Sequence, residues 1–252
     1  MKIVMITTVL NKTEHMILRD VPVSSTIIEL SDHSLAIVDT GAPDNPDLEE
    51  QLSELGYATS DFKLVLSSHL HLDHIGGHQL FSNARIIVSR QELEYENVLR
   101  GMLQDSSDPV ALLRSLGRNI APGTESLAWD IKSLSEEYSA AKLLSHNKQI
   151  EFYEDNPILP DYITHLEVPG HSVGSRAIMV HGKKRNVIIC GDALYHRDLW
   201  RQDLLAGLHY DEDLFRRNAE YISRFPDIII PGHDRGFDNL TQQYLEDDWL
   251  QV

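Results

Sequence analysis

Between Ser68 and Gly76 the chain reads H-L-H-L-D-H-I, which places His69, His71, Asp73 and His74 within six residues. Imidazole and carboxylate are the side chains that bind zinc and related divalent ions. The run before them, Phe62 to Ser68, is apolar and β-branched and reads as a buried strand. In extended chain, residues i, i+2 and i+4 share a face. That spacing aims His69, His71 and Asp73 one way and His74 another as the chain turns, so two imidazoles can hold one metal and a carboxylate with a further imidazole can hold a second beside it. Three histidines and an aspartate directly after an apolar strand outweigh the reading as surface histidines in a polar loop. Three further stretches repeat the theme: P-G-H-S carries His171, G-D-A-L-Y carries Asp192, and P-G-H-D carries His233. Each has a glycine beside a ligand-type residue at a strand exit. Five histidines and two aspartates at such exits predict one deep site for two divalent ions. Zinc is the first choice, and iron, manganese and cobalt suit the same ligands.

The elements that must position these residues can be read from hydrophobic period and turn chemistry. Strands are expected at 2–10, 24–30, 34–39, 62–67, 84–88, 149–153, 163–168, 176–181, 187–190 and 227–230. Pro46 opens a helix through Leu55, with Leu48, Leu52 and Leu55 on one face. Helices are also expected over Gln91–Leu99, Asp108–Leu116, Glu212–Phe225 and Leu240–Leu250. The longest runs from Ser126 to Leu144, with Leu127, Ile131, Leu134, Tyr138 and Ala141 at helical spacing and Asp130, Lys132, Glu136 and Glu137 on a solvated face. Residues 100–148 form a helical insertion in one domain spanning 1–252. It acts as a lid, as a dimer contact implying a homodimer, or as packing.

Composition narrows the function classes. The formal net charge is −17, with 39 acidic against 22 basic residues, so nucleic acid is an unsuitable partner. One cysteine, Cys190, excludes an internal disulfide and reads as a buried strand residue. The apolar run Ile3 to Leu10 is too short to span a membrane, and Asn11, Lys12 and Glu14 follow it where a signal peptide would have small residues. The expectation is a cytoplasmic protein without membrane contact. His15, His33, His146, His165, His181 and His209 match no motif and read as structural or exposed.

The order HLHLDH, PGHS, GD and PGHD, with V-D-T-G (Val38 to Gly41) upstream, resembles the metallo-β-lactamase superfamily from about residue 20 to 235. The resemblance implies an α/β fold, an αββα sandwich of two face-to-face sheets with helices outside and metals at one edge. It implies that His69, His71 and His171 bind the first metal, that Asp73, His74 and His233 bind the second, and that Asp192 bridges them. Asp39 is implied to buttress the histidine loop by hydrogen bonds. Family members with a glutamate in the place of His71 hold di-iron, so His71 favours a hydrolytic dizinc site.

The implied reaction is attack of a hydroxide held between the metals on a lactone or ester carbonyl. Tyr195, three residues after Asp192, resembles the tyrosine that points into the site of the N-acyl-homoserine lactonases. SSHLHLDHIGG, then Phe81 and I-I-V, and VPGHSVG resemble that quorum-quenching branch too. On this resemblance Tyr195 is the oxyanion donor, Asp73 shuttles a proton to the leaving group, and N-acyl-homoserine lactone is the substrate. His78 departs from that branch, which tends to have Asn there. His196, Arg197, Trp200 and Arg201 are further pocket candidates, with surface roles equally open. A hydroxyacylglutathione-type thioesterase is the alternative, weighed against by acidic Glu246, Asp247 and Asp248. A non-catalytic metal-dependent ligand sensor is the alternative of another class, but no ligand residue is lost.

Overall fold

The computed structural model describes residues 1–10, 20–120, 122–205, 207–224 and 226–252. The sequence readings at Asn11, Lys12, Glu14, His15 and Phe225 lie outside these. Strands β1 (Lys2–Leu10), β2 (Val21–Glu29), β3 (Leu35–Val38), β4 (Phe62–Leu66), β5 (Arg85–Val88) and β6 (Ile150–Phe152) lie side by side in chain order in one sheet. Strands β7 (Ile163–Glu167), β8 (Arg176–His181), β9 (Asn186–Gly191), β10 (Ile228–Pro231) and β11 (Phe237–Asp238) form the second. The last strand, β12 (Trp249–Gln251), returns to the free edge of β1.

Side-chain alternation explains why these strands make two packed layers. Successive strand residues point to opposite faces. Ile3 and Met5 of β1, Val187 and Ile189 of β9, and Ile228 and Ile230 of β10 fill the core between the sheets. Their neighbours point outward. Val4 and Ile6 meet Leu48 and Leu52 of α1 (Asp47–Glu54). Ile188, Cys190 and Ile229 pack with Ile222, on the far face of the second sheet. Apolar residues on both faces of both sheets require helices outside each, which is the αββα arrangement.

The short helix α2 (Leu72–Ile75) follows β4. After β5 come α3 (Arg90–Asp105), α4 (Pro109–Ser115), α5 (Ser126–Glu137) and α6 (Ala140–Leu144); α7 (Arg197–Arg201) and α8 (Glu212–Ile222) follow β9. Ser89 caps α3 and Asp108 caps α4 through their side-chain oxygens, as the residue types favour.

The structure corrects three sequence expectations. The helix expected from Ser126 to Leu144 is two helices. Ser139 turns extended (φ −62°, ψ 147°) and starts a new turn, its carbonyl accepting from Lys142 and Leu143. The break rotates the helical phase, so Ala140 is buried and Ala141 exposed. Asp130, expected on a solvated face, is 8% exposed. The helix expected over Leu240–Leu250 does not form. Asp238 accepts from the Leu240 and Thr241 amides and so closes a turn, and the chain then pairs as β12 with the open edge of β1, a sheet edge that needs a cover.

Candidate metal centre

All seven ligand-type residues meet at one edge of the sandwich. His69 follows β4, His171 follows β7, Asp192 follows β9 and His233 follows β10. His71 is the extended residue before α2, while Asp73 and His74 lie within that helical turn. The expected face-sharing of His69, His71 and Asp73 therefore ends at His71. A helical turn puts Asp73 beside His74 instead. His69, His71 and His171 form one cluster and Asp73, His74 and His233 another; within each, the candidate ligand atoms lie within 4.8 Å of one another.

Asp192 sits between the two clusters. Its Oδ2 lies 3.2 Å from His171 Nε2, and its Oδ1 lies 3.2 Å from His74 Nε2 and 3.1 Å from His233 Nε2. Close backbone approach makes this placement fit. A Cβ on Gly232 would collide with Asp192 Oδ1, and one on Gly191 with Ser68 Oγ.

The outward ring nitrogens determine which nitrogen faces inward. His233 Nδ1 lies 2.6 Å from the Pro22 carbonyl, which only accepts, so Nδ1 carries the proton. His74 Nδ1 is 2.9 Å from Asp39 Oδ2, and His69 Nδ1 is 3.0 Å from Ser68 Oγ. Asp39 also accepts from the Ser68 amide at 2.8 Å and its hydroxyl at 2.6 Å. The Asp39 buttress is thus present. The Nε2 lone pairs of these three rings converge with His71 Nδ1 and His171 Nε2, which lie 3.0 Å apart. His69 Nε2 is buried without a hydrogen-bond partner among the described residues. Two of the lone pairs fixed in this way, His74 Nε2 and His233 Nε2, face each other at 3.3 Å with the Asp192 carboxylate beside them, which fits a cation better than a hydrogen bond.

The electrostatics divide the rings. Burial, then the neighbouring histidines, holds His69 well below its ordinary pKa, and burial does the same for His171. Burial also opposes charge on His74 and His233, but Asp192 and Asp73 outweigh it and raise both. The carboxylates therefore make a potential that holds positive charge. Burial works against ionisation of Asp192 as well, yet His233, His74 and His171 pull its pKa well down.

Above the clusters is a cavity of about 430 Å³. Its floor includes His71, Asp73, His171, Asp192, Tyr195 and His233, and its walls include Leu99 of α3 and Leu127, Ile131 and Leu134 of the insertion. The insertion is thus a wall of the site. Lys132 donates to the Gln104 and Ser106 carbonyls at the end of α3, and Arg118 reaches Tyr95 Oη and the His209 carbonyl. Tyr195 stacks on His233, ring centroids 4.0 Å apart. Burial, then Asp192 and Asp73, raises its pKa, so its hydroxyl is a donor at neutral pH.

The remaining candidates separate cleanly. His196, Arg197, Trp200 and Arg201 do not line the cavity. The His196 ring caps α7, and Arg197 lies over the Tyr244 ring. His78 is structural: Thr40 Oγ1 and Ser67 Oγ each lie 2.7 Å from a ring nitrogen, and burial lowers its pKa to about 3. Cys190 is buried, as its strand position implies. Sequence reasoning missed Glu92 and Glu96, which lie with His71 inside one 4.8 Å group. Glu96 faces the cavity, and burial raises its carboxyl to about 7.

A family model described as the metallo-β-lactamase superfamily matches residues 18–233. The chain belongs to that superfamily. Among individual proteins, it is 28% identical over 189 residues to the N-acyl homoserine lactonase AiiA of Bacillus thuringiensis subsp. kurstaki. That match covers 73% of this chain and 60% of the relative's length. The fold is also that of an N-acyl homoserine lactone hydrolase solved with N-hexanoyl-L-homoserine at its catalytic metal centre (TM-score 0.64, 21% identity, 92% of this chain and 93% of that one). A dizinc quorum-quenching lactonase, AidC, matches with a TM-score of 0.61 and 18% identity over 85% of this chain and 73% of its own.

Proposed function

We propose that the protein is a dinuclear metal-dependent hydrolase that opens a lactone or ester, N-acyl-homoserine lactone being the sharpest assignment. One observation carries this reading: seven metal-ligand side chains converge beneath an apolar cavity into which Tyr195, a protonated phenol, also projects. The names of the lactonase relatives and the dizinc site of one structural neighbour support it.

In this reading His69, His71 and His171 hold one cation, Asp73, His74 and His233 hold the second, and Asp192 lies between. Zinc is the proposed metal, and the cytoplasm the proposed compartment. When bound, the cations supply a water of lowered pKa and polarise the scissile carbonyl. The chain's own residues do the rest. Tyr195 Oη donates to the oxygen on which negative charge develops, a contribution of about ten- to a thousandfold in rate. Asp73, more exposed than Asp192, takes up the proton released as water adds to the carbonyl and passes it to the departing alkoxide. The leucine and isoleucine walls take up the acyl portion and keep bulk water out.

The test is acid release by the zinc-loaded protein on homoserine lactones of long and short chain, simple lactones and an acylglutathione thioester. The reading expects the homoserine lactones to lead in kcat/KM by a wide margin. A lead for the thioester would transfer the site to thioesterase chemistry. Tight stoichiometric binding without turnover would make it a sensor.

A further inference from the structure

Ser89-Arg90-Gln91-Glu92 is an S-x-x-E stretch at the start of α3, the sequence form of a capping box. In such a box the glutamate reaches back to the cap residue's amide. Half of it forms here, since Ser89 Oγ accepts from the Glu92 amide at 3.3 Å. The Glu92 carboxylate goes elsewhere. Its Oε2 accepts from Ser172 Oγ at 2.8 Å and from the Gly174 amide at 2.6 Å. Its Oε1 faces the Leu70 amide at 3.5 Å. The side chain is completely buried.

These partners are placed with a purpose that their sequence positions reveal. Leu70 lies between His69 and His71, in the loop after β4 of the first sheet. Ser172 follows His171, in the loop after β7 of the second sheet. One carboxylate therefore grips the backbone or side chain adjoining all three members of the first histidine cluster, across the junction of the two sheets. It also lies within 4.8 Å of the His71 ring. Asp39 serves the other half through His74, and its bonds to Ser68 reach only His69 of the first. The approach is tight: a Cβ on Gly174 would come within 2.9 Å of Glu92 Cβ, so only glycine admits the helix this close to the loop.

We propose that Glu92 is the positioning residue of the first metal cluster, setting the distance between the two ligand loops and the orientation of His71. The proposal rests on the two-metal reading above. Metal-orienting partners of this kind are worth ten- to a hundredfold in affinity. Loss of Glu92 should therefore weaken one metal selectively.

The experiment isolates each cluster. His233→Ala leaves the first cluster as the intact one, and His71→Ala leaves the second. Glu92→Gln is added to each, and zinc affinity is measured by competition with a chromophoric chelator. In the His233→Ala background, affinity should fall ten- to a hundredfold. In the His71→Ala background it should change less than about threefold, the sites being separable in the sense of a double-mutant cycle. Equal losses in both backgrounds, or none in either, overturn the proposal. Should Glu92→Gln fail to fold, Ser172→Ala removes one donor only and should give a smaller loss with the same selectivity; no selectivity there is equally fatal. The starting protein is the control for the underlying reading. Fewer than two zinc equivalents in it would sink the two-metal site itself, whereas two equivalents unaffected by Glu92→Gln would sink only the role of Glu92.

Discussion

Replacing Asp39 with alanine is the perturbation whose size follows most directly from the structure. Asp39 accepts from the Ser68 amide at 2.8 Å, the Ser68 hydroxyl at 2.6 Å and His74 Nδ1 at 2.9 Å. Ser68 is 1% exposed and His74 fully buried, so water cannot replace the lost acceptor. The hydroxyl can rotate to another partner, but the amide and Nδ1 donors cannot. Each buried donor left unmet costs about 1–3 kcal/mol, and the two together about 2–6 kcal/mol. Asp39 also has a φ of +57°, where alanine adds about 1 kcal/mol of strain. In a chain of this size each kcal/mol lowers the melting midpoint by about 2–4 °C. The expected drop is roughly 6–28 °C in the metal-free protein. Zinc affinity at the His74 cluster should fall ten- to a hundredfold as well. Calorimetry with and without zinc, followed by chelator competition, measures both. Asp39→Asn keeps one acceptor and tolerates the left-handed backbone, so it should fall between wild type and Asp39→Ala. A midpoint within about 2 °C of wild type with unchanged zinc affinity would show that the Asp39 carboxylate does not hold the loop.

Tyr195→Phe should lower kcat by about ten- to a thousandfold while zinc content and KM stay near wild type; an unchanged kcat makes Tyr195 a packing residue. Asp192→Ala should leave fewer than two zinc equivalents by elemental analysis, and retention of both would remove its bridging role. His78 gives a pH dependence. Its folded pKa of about 3 lies below the ordinary 6.5, so the unfolded chain takes up the proton first as pH falls. Stability present above pH 6.5 is then lost down to about pH 3, by roughly 1.4 kcal/mol per pH unit. His78→Gln should flatten this slope in denaturant titrations of the metal-free protein at pH 5 and 7; an equal slope in both proteins would show that His78 does not titrate in this window.

The seven ligand-type residues were legible in the chain because each lies at, or within a few residues after, a strand exit and strand patterns are strong. Continuous apolar runs in β1, β9 and β10 announce two-faced burial, and H-x-H-x-D-H has no common structural use. The Asp39 buttress was legible only through resemblance. The break at Tyr138–Ser139 and the strand at Trp249–Gln251 were not legible, since helical spacing of apolar residues continues through both stretches. Local periodicity cannot register an open edge on β1, which exists only after the sheet has formed. Glu92 was hidden for a related reason. Its local pattern is that of a cap, and its partners at Leu70, Ser172 and Gly174 lie 22 to 82 residues away.

The family and the seven ligand-type residues could be read from residue type and short-range spacing alone, whereas the αββα layering followed only from the resemblance. The packed chain shows what makes the two clusters that the resemblance implied, a helical turn after His71 that places Asp73 beside His74. It also decided that the insertion walls a cavity and that one buried glutamate ties the loops of two sheets together. Those are relations between distant segments, and only the packed chain brings the segments within bonding distance.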